Sequence, residues 1–297
     1  MATTQDIKRR VNSVKNTRKV TKAMELVAGA KLRRAQSRIE VMRPYADRMQ
    51  ELMAGTARAA GSLRRLALLQ RREEGTVAIV ALTGDRGLAG AFNAQVLRAS
   101  VVLEKRLSGE GKTVRWLAAG KKGGSSLRFR RYEVDQAWTG FSDNPSYADA
   151  QAIAHKVAEL YEAEEVDRVV LVYNHFESPL VQRVVAHDVL PIPEDVLAKD
   201  EAGAEEQKAL VGDFIYEPEP EQILERLLPV YVETEIYRAL LESAASEQGA
   251  RMTAMRNASK AAGELIDDLT LAMNRARQAE ITQEILEVVA GADALVG

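Results

Sequence analysis

The sequence predicts an α+α/β fold: a long antiparallel coiled coil of the N- and C-terminal helices, with a small Rossmann-like α/β domain between them. Both ends of the chain carry sustained helical seams, and the stretch 230–297 contains no proline. The middle alternates short apolar runs with helical segments, which is typical of a parallel sheet covered by helices. We therefore divide the chain into an N-terminal coiled-coil helix, an α/β domain and a C-terminal coiled-coil helix, at residues 1–60, 75–215 and 217–297.

The N-terminal helix is predicted from hydrophobic and small residues spaced seven apart, as in a coiled-coil seam. Arg18 and Glu25 interrupt the second series, so we expect a less regular seam between them. Pro44 lies inside the pattern and predicts a kink or a local break near Arg43. The two series are Ile7, Val14, Thr21, Ala28, Ala35, Met42 and Met49, and Val11, Leu32, Ile39, Ala46 and Met53.

The C-terminal helix is predicted to be long enough that it must project or pair with another helix. About 60 helical residues would span ~90 Å, more than a compact domain can cover. Its seam alternates three- and four-residue spacing over about four heptads, and half of its members are alanine, which lets two helix backbones approach closely. The predicted seam is Met255, Ala258, Ala262, Leu265, Leu269, Ala272, Ala276, Ala279, Gln283 and Leu286.

The α/β domain is predicted from nearly continuous apolar runs, the mark of strands buried on both faces. We expect a parallel sheet with strands at 76–83, 113–119 and 168–173, an outlying strand at 180–190, and helices at 92–107 and 147–163. The stretch 120–126 is predicted to be a flexible basic loop, and 194–210 a solvated loop.

The composition excludes several kinds of chemistry. The chain has no cysteine, so disulfides, thiolate metal sites and cysteine nucleophiles are excluded. Its three histidines are not at ligand spacing on one helix face, and no G-x-S-x-G elbow occurs. No stretch approaches the ~18 consecutive apolar residues of a membrane-spanning helix. We predict no catalytic residue, no metal, no cofactor and no transmembrane span.

Two alternatives depend on particular segments. Gly84, Gly87 and Gly90 follow the first strand, and a nucleotide-binding α/β enzyme would use such a turn, although the spacing is neither the dinucleotide nor the Walker pattern. The first 72 residues hold 18 basic and 5 acidic residues, so an RNA-binding coiled coil is the other alternative. Against it, no aromatic residue precedes Tyr45 to stack on bases, and we predict no nucleic-acid partner.

Three stretches of the sequence resemble the gamma subunit family of the F-type ATP synthases. They are VTKAMELVAGAKLRRAQ at 20–36, DRGLAGAFN at 85–93, and GELIDDLTL followed by NRARQAEITQEI at 263–271 and 274–285. Because these stretches lie at both ends and in the α/β domain, the resemblance covers essentially the whole chain.

This resemblance implies a rotating, non-catalytic central stalk of a proton-translocating ATP synthase. The coiled coil would stand inside a ring of alpha and beta subunits, and the α/β domain would bind the epsilon subunit and the c-ring. The protein would lie at the cytoplasmic face of a bacterial cell membrane as a peripheral subunit. Its rotation would couple the c-ring to ATP synthesis or hydrolysis at the beta subunits.

The resemblance also implies two sets of contact residues. Met24 would lie near an acidic beta loop, although a methionine on a coiled coil also serves as a packing residue. The residues implied to contact the alpha/beta ring are Lys22, Met24, Lys31, Arg33, Arg34, Arg251, Arg277, Gln278 and Thr282. Those implied to contact epsilon and the c-ring are Phe214, Tyr216 and Glu217.

Overall fold

The computed structural model describes residues 4–60, 66–193, 196 and 218–296. Its two longest elements are helix α1 (Thr4–Ala59) and helix α5 (Pro220–Val296). Helix α5 begins at Pro220, and a proline in the first position of a helix costs nothing, because the N–H group that it lacks would have no partner within the helix. The chain divides into two compact units: a helical unit of residues 1–28 and 251–297, and a sheet unit of residues 29–250.

Helix α1 continues through Pro44, so the predicted local break is wrong. Proline removes one helical hydrogen bond, which frees a carbonyl one turn earlier. Pro44 is exposed, and a carbonyl on the solvent side of a helix can turn toward water instead.

The helical unit pairs the two helices in antiparallel orientation. Three contacts along the pair show the direction: Thr4 bonds to Glu280, Thr21 to Ser259, and Glu25 to Arg256. The residue numbers increase along α1 while those of their partners on α5 decrease. The predicted antiparallel coiled coil is therefore confirmed.

The seam on α5 differs from the prediction in most of one series and at the last member of the other. Met255 and Ala262 are buried and Leu269 and Ala276 are half-buried, as expected for one series. In the other series Leu265 is 46% exposed, and Ala272, Ala279 and Leu286 are also exposed. Gln283, the last member of the first series, is exposed as well, so these five positions were predicted wrongly. Residues one position further along lie in the seam instead, namely Ser259, Ile266 and Met273. The sequence has apolar residues on both adjacent stripes, and a straight helix drifts about 20° per heptad, so periodicity alone did not separate them.

The sheet unit contains a five-stranded mixed sheet in the order β3-β2-β1-β4-β5. Strands β1 to β4 run parallel to one another, as predicted for β1, β2 and β4, whereas β3 was not predicted. Strand β5 pairs antiparallel with β4, because the five residues between them are too few for a crossover connection. The strands are β1 (Thr76–Leu82), β2 (Thr113–Ala119), β3 (Gln136–Trp138), β4 (Arg168–Phe176) and β5 (Gln182–Leu190), and the shorter helices are α2 (Phe92–Gly109), α3 (Lys121–Phe129) and α4 (Tyr147–Glu162).

Helix α3 replaces the loop predicted at 120–126. Its Gly-Gly-Ser-Ser sequence has poor helix propensity, so contacts with the rest of the unit decide the local structure. The Lys121 N–H group donates to the Asp85 carboxylate at 2.8 Å, and the Gly123 N–H group donates to Thr83 Oγ1 at 2.9 Å. Two of the free N–H groups of the first turn are therefore satisfied from the end of β1.

The core of the sheet unit has two parts. The larger joins α4 and the first half of α5 to the end of α1, where Met49 and Met53 are buried. The smaller packs α2 and α3, including Val96 and Leu127, against strand residues such as Ile79. Both long helices thus contribute to the core of a unit built around the sheet.

Candidate interaction surfaces

A polar section interrupts the seam of the helical unit where the sequence predicted irregularity. Glu25 is only 7% exposed, and its carboxylate accepts from Lys22 Nζ at 3.0 Å and from Arg256 Nε at 3.1 Å. The hydrogen bond from Lys22, followed by that from Arg256, holds the pKa of Glu25 below its usual value. One turn away the Thr21 and Ser259 hydroxyls are 2.7 Å apart.

This polar section also fixes the register of the two helices. A polar residue at a seam position stabilises the alignment that satisfies it and disfavours others. The Arg18 guanidinium lies over Gly263, about 3.7 Å from where a Cβ atom would stand. A Cβ atom there would make ordinary van der Waals contact with the arginine, so this packing does not require a glycine.

A groove next to this section carries a strong positive charge. Its volume is about 960 Å³, and its lining combines four basic side chains with the exposed apolar Leu26. Such a surface is suited to an acidic partner that also offers apolar contact. The lining residues are Asn12, Lys15, Asn16, Arg18, Lys19, Lys22, Ala23, Leu26 and Ile266.

The structure distributes the sequence-predicted contact residues over several places. Lys22, Arg33, Arg34, Arg277, Gln278 and Thr282 are exposed, whereas Met24 is half-buried. Arg251 is only 7% exposed. Lys31 makes an ion pair within the chain, with its Nζ atom 2.7 Å from Asp143 Oδ2. Phe214, Tyr216 and Glu217 lie outside the described residues.

The exposed residues of the helical unit form two groups rather than one site. Arg277 to Thr282 on α5 lie level with Thr4, which bonds to Glu280. Lys22 lies 18 residues further along α1, and at 1.5 Å per residue this places the groups ~27 Å apart. The Thr282 hydroxyl donates to the Gln278 carbonyl in its own helix at 2.9 Å, so it is already partnered.

Asp85, in the stretch 85–93, organises the loops at the end of the parallel strands. Its carboxylate accepts from the backbone N–H groups of Lys121 at 2.8 Å, Gly140 at 2.8 Å and Ser142 at 3.2 Å. Asn93 closes the glycine turn by accepting from the Gly84 N–H group at 2.8 Å. In nucleotide-binding folds a phosphate occupies such a helix N-terminus, whereas at the N-terminus of α3 the negatively charged carboxylate of Asp85 takes this place.

The three histidines each face a glutamate on α5. His155 lies 3.2 Å from Glu233, and His187 lies 3.2 Å from Glu235. His175 Nδ1 lies 2.5 Å from Glu242 Oε2. Tyr147 also donates to Glu233 at 2.6 Å, and burial together with this carboxylate raises the pKa of its hydroxyl. Among the described residues no group of three acidic, histidine or cysteine side chains is placed to hold a metal ion.

The sequence interpretation missed the residues that connect helix to sheet. Asp143, Gln248 and the glutamates of α5 come from separate parts of the chain and meet only in the folded protein. Glu25 was noticed as an interruption of the seam, but its pairing with Arg256 needed the register of the two helices.

Comparison with known proteins identifies the family. The ATP synthase family model matches residues 3–295. The ATP synthase gamma chain of Rubrobacter xylanophilus is 48% identical over 299 residues, covering 99% of each chain. The chain belongs to the ATP synthase gamma chain family. The gamma chain of Paracoccus denitrificans is 44% identical and covers 99% of this chain and 100% of its own.

Solved structures agree with this gamma chain assignment. A chain of the central stalk and c-ring structure of Tetrahymena thermophila mitochondrial ATP synthase has a TM-score of 0.57 at 28% identity, covering 81% of this chain and 99% of that one. A chain of the Euglena gracilis mitochondrial ATP synthase has a TM-score of 0.67 at 19% identity, covering 98% of this chain and 94% of that one, and shows the shared fold. No helix in the described part of the chain is long and apolar enough to cross a membrane.

Proposed function

We propose that this chain is the rotating central-stalk subunit of a proton-translocating ATP synthase and has no catalytic role of its own. Its rotation with the c-ring would drive ATP synthesis at the beta subunits, and ATP hydrolysis there would drive it in reverse. The observation that carries the proposal is full-length similarity to gamma chains, 48% identity over 99% of both chains in the case of Rubrobacter.

The helical unit supports this function. Its two helices bury a narrow seam and leave basic and apolar side chains exposed along their length. A shaft that turns inside a ring of subunits needs contacts that differ from one rotor angle to the next. A ring subunit that bound the shaft equally well at every angle would not change its conformation as the shaft turned. Exposed charged contacts, each contributing about 1 kcal/mol or less, are weak enough to exchange during rotation.

The contact residues are proposed in two groups. Lys22, Met24, Arg33 and Arg34 on α1 would face acidic parts of the alpha/beta ring, together with the basic groove beside Lys22. Arg277, Gln278 and Thr282 would contact the ring further along α5. Arg251 is 7% exposed and would present little surface to the ring. Phe214, Tyr216 and Glu217 remain proposed contacts of epsilon and the c-ring.

The proposed location is the cytoplasmic face of a bacterial cell membrane. The Rubrobacter and Paracoccus relatives are bacterial gamma chains. The protein would be peripheral, held at the membrane through the c-ring and epsilon.

Assembly tests the function directly. Native mass spectrometry of this chain mixed with alpha and beta subunits of the same source should give one species with three alpha, three beta and one copy of this chain. The control is the same mixture without the chain. If the alpha and beta subunits form a catalytically active assembly that never includes this chain, the proposal is contradicted. A titration with ATP and NAD then tests the enzyme alternative, which requires saturable binding to the isolated chain.

Met24 provides a test of the contact surface. Met24→Lys adds a second positive charge beside Lys22 and should lower the number of protons pumped per ATP hydrolysed by the assembled enzyme. The matched control is Val41→Lys, which adds the same charge at an exposed position of the same helix. Equal coupling in both variants would mean that Met24 is only a packing residue.

A further inference from the structure

One loop of the sheet unit contacts both long helices. This collar loop, residues 140–145, follows β3 and ends at Ser146, the N-cap of α4. Asp85 holds its first half through the Gly140 and Ser142 N–H groups, and the Asp85 N–H group donates to Ser142 Oγ at 2.9 Å. The capping box of Ser146 and Asp149 holds its far end. The loop is therefore fixed to the sheet unit on both sides.

Asp143 is the point at which the collar loop contacts the two helices. Its Oδ2 atom lies 2.7 Å from Lys31 Nζ on α1, and its Oδ1 atom accepts from Gln248 Nε2 on α5 at 2.8 Å. Arg38 adds a second connection from α1, donating to Asn144 Oδ1 at 2.5 Å and to the Pro145 carbonyl at 3.3 Å. One carboxylate thus bridges α1 and α5 and belongs to a loop that is bound to the sheet.

The Gln248 side of this bridge is shielded from water, whereas the Lys31 side is partly exposed. Gln248 is 1% exposed, and its Oε1 atom has no hydrogen-bond partner among the described residues. Its amide is therefore held mainly by the donation to Asp143. Charge-assisted bonds such as Lys31 to Asp143 are shorter and stronger than neutral ones. Arg86 Nη1, 3.8 Å from Asp143 Oδ2, adds to the positive charge around the carboxylate.

We propose that Asp143 is a positioning residue that resists rotation of α1 and α5 relative to the sheet, and so stiffens the stalk where torque enters the two helices. The inference rests on the proposed function. It also assigns Lys31 to this internal bridge rather than to the alpha/beta ring. Twisting either helix relative to the sheet lengthens a bond to the same carboxylate, so the bridge opposes rotation of both.

Loss of the bridge should soften the stalk without unfolding it. The sheet unit keeps its apolar core and its other links to α5, such as the Ser246 hydroxyl donating to the Asn174 carbonyl at 3.0 Å. Folding and assembly therefore do not depend on Asp143 alone, and the expected change is in mechanical behaviour.

The test measures torsional stiffness in the assembled alpha, beta and gamma complex. The chain has no native cysteine, so Lys105→Cys on the exposed face of α2 gives a unique attachment point for a rotation probe. Asp143→Ala should increase the variance of the probe angle at a fixed ATP-waiting dwell, since variance is inversely proportional to stiffness, while ATP hydrolysis stays near the starting rate. Asp143→Asn, which keeps an acceptor for Gln248, should give an intermediate value.

The matched control is Asp135→Ala, which removes an ion pair with Arg115 that lies within the sheet unit and touches neither long helix. It should leave the variance unchanged. The exchange Lys31→Asp with Asp143→Lys restores the pair, and the new lysine can donate to Gln248 Oε1, so the double variant should be stiffer than either single one.

The outcomes separate the two proposals. If the labelled parent chain fails to assemble or rotate, the proposed function is wrong. If it rotates and Asp143→Ala leaves the variance unchanged, only the positioning role is wrong. If Asp143→Ala does not assemble, Lys31→Met removes the same ion pair from the exposed side, and an unchanged variance in that variant overturns the inference.

Discussion

Glu25 is an acidic side chain in the seam of two helices, and its hydrogen bonds make its contribution depend on pH. Lys22 and Arg256 stabilise the charged form, so the pKa of Glu25 in the folded chain lies below its ordinary value of 4.5. A carboxyl with a lowered folded pKa stabilises the fold above its unfolded pKa and loses that contribution as pH falls through the folded one.

Glu25→Gln should therefore destabilise the chain at pH 7, and the difference from the parent chain should shrink as the pH falls below about 4. Urea denaturation of both chains at several pH values measures this. Glu51→Gln is the control, because its pair with Arg48 is exposed and contributes little. A Glu25→Gln effect of equal size at pH 7 and at pH 3 would contradict the role of the ion pair.

Because Gly120 has no side chain, its backbone can approach the backbone of Thr83 closely. Its φ is +109°, and a Cβ atom there would stand 2.0 Å from the Thr83 carbonyl oxygen, part of the backbone of the neighbouring strand end. Gly111 also has a positive φ, +81°, but a Cβ atom there would meet nothing within 4 Å.

Gly120→Ala should therefore lower the free energy of unfolding by about 3 kcal/mol or more, through strain and overlap together. Gly111→Ala should cost only about 1–2 kcal/mol, from the backbone conformation alone. Chemical denaturation of the two variants separates the contributions. Equal losses would mean that the turn before α3 is looser than it is in this structure.

At the scale of elements, the seam of the helical unit is defined by which alanines are buried. Ala262 is 8% exposed, whereas Ala272, which the periodicity placed in the seam, is exposed. A large side chain should therefore be tolerated at one position and not at the other.

Ala262→Trp should destabilise the helical unit by about 1–3 kcal/mol through overpacking. Ala272→Trp should change stability by no more than about 0.5 kcal/mol, as is usual for exposed positions. Thermal denaturation of the two variants tests the seam directly, since both make the same substitution on the same helix. If Ala272→Trp were the less stable of the two variants, the seam predicted from periodicity would be the correct one.

The elements of the sheet unit show where local sequence decides structure and where it does not. Strands β1, β2 and β4 are buried apolar runs, and their positions follow from composition. Composition does not predict helix α3 or strand β3, because their residues have weak propensity for helix or strand. Helix α3 depends on hydrogen bonds to Asp85 and Thr83, and strand β3 depends on pairing with the edge of β2. The direction of β5 follows from the length of its connection.

At the scale of the whole molecule, the two units differ in how much they bury. The sheet unit has two apolar clusters with many fully buried side chains. In the helical unit the buried residues are confined to a single seam, and polar side chains such as Glu25 and Ser259 occupy part of it. Local opening is easier where few apolar contacts must be broken.

Hydrogen exchange of the isolated chain should show this difference. Amides of residues 4–28 and 256–290 should exchange faster than those of β1 and β4, because separating the two helices exposes little apolar surface. The matched comparison is the part of α5 at 231–250, which is largely buried in the sheet unit and should be protected. Uniform protection along α5 would mean that the helical unit is as stable as the sheet unit.

The sequence by itself determined the fold class, the two long helices, the main strands of the sheet and the gamma chain family. These follow from heptad spacing, from apolar runs and from long sequence stretches, all of which are local patterns in the chain. Apolar seven-residue spacing on α1 located its seam, from Val11 to Met53, and the apolar residues of that seam are buried or half-buried.

Only the tertiary structure decided which stripe of α5 is buried, how Glu25 is paired, and what Lys31 contacts. Each of these depends on residues far apart in the chain, such as Arg256 for Glu25 and Asp143 for Lys31. A lysine on a basic helix has the same local pattern whether it faces a partner protein or a carboxylate of its own chain. The difference arises from the register of the helices and the path of the collar loop, which are set by packing of the whole unit.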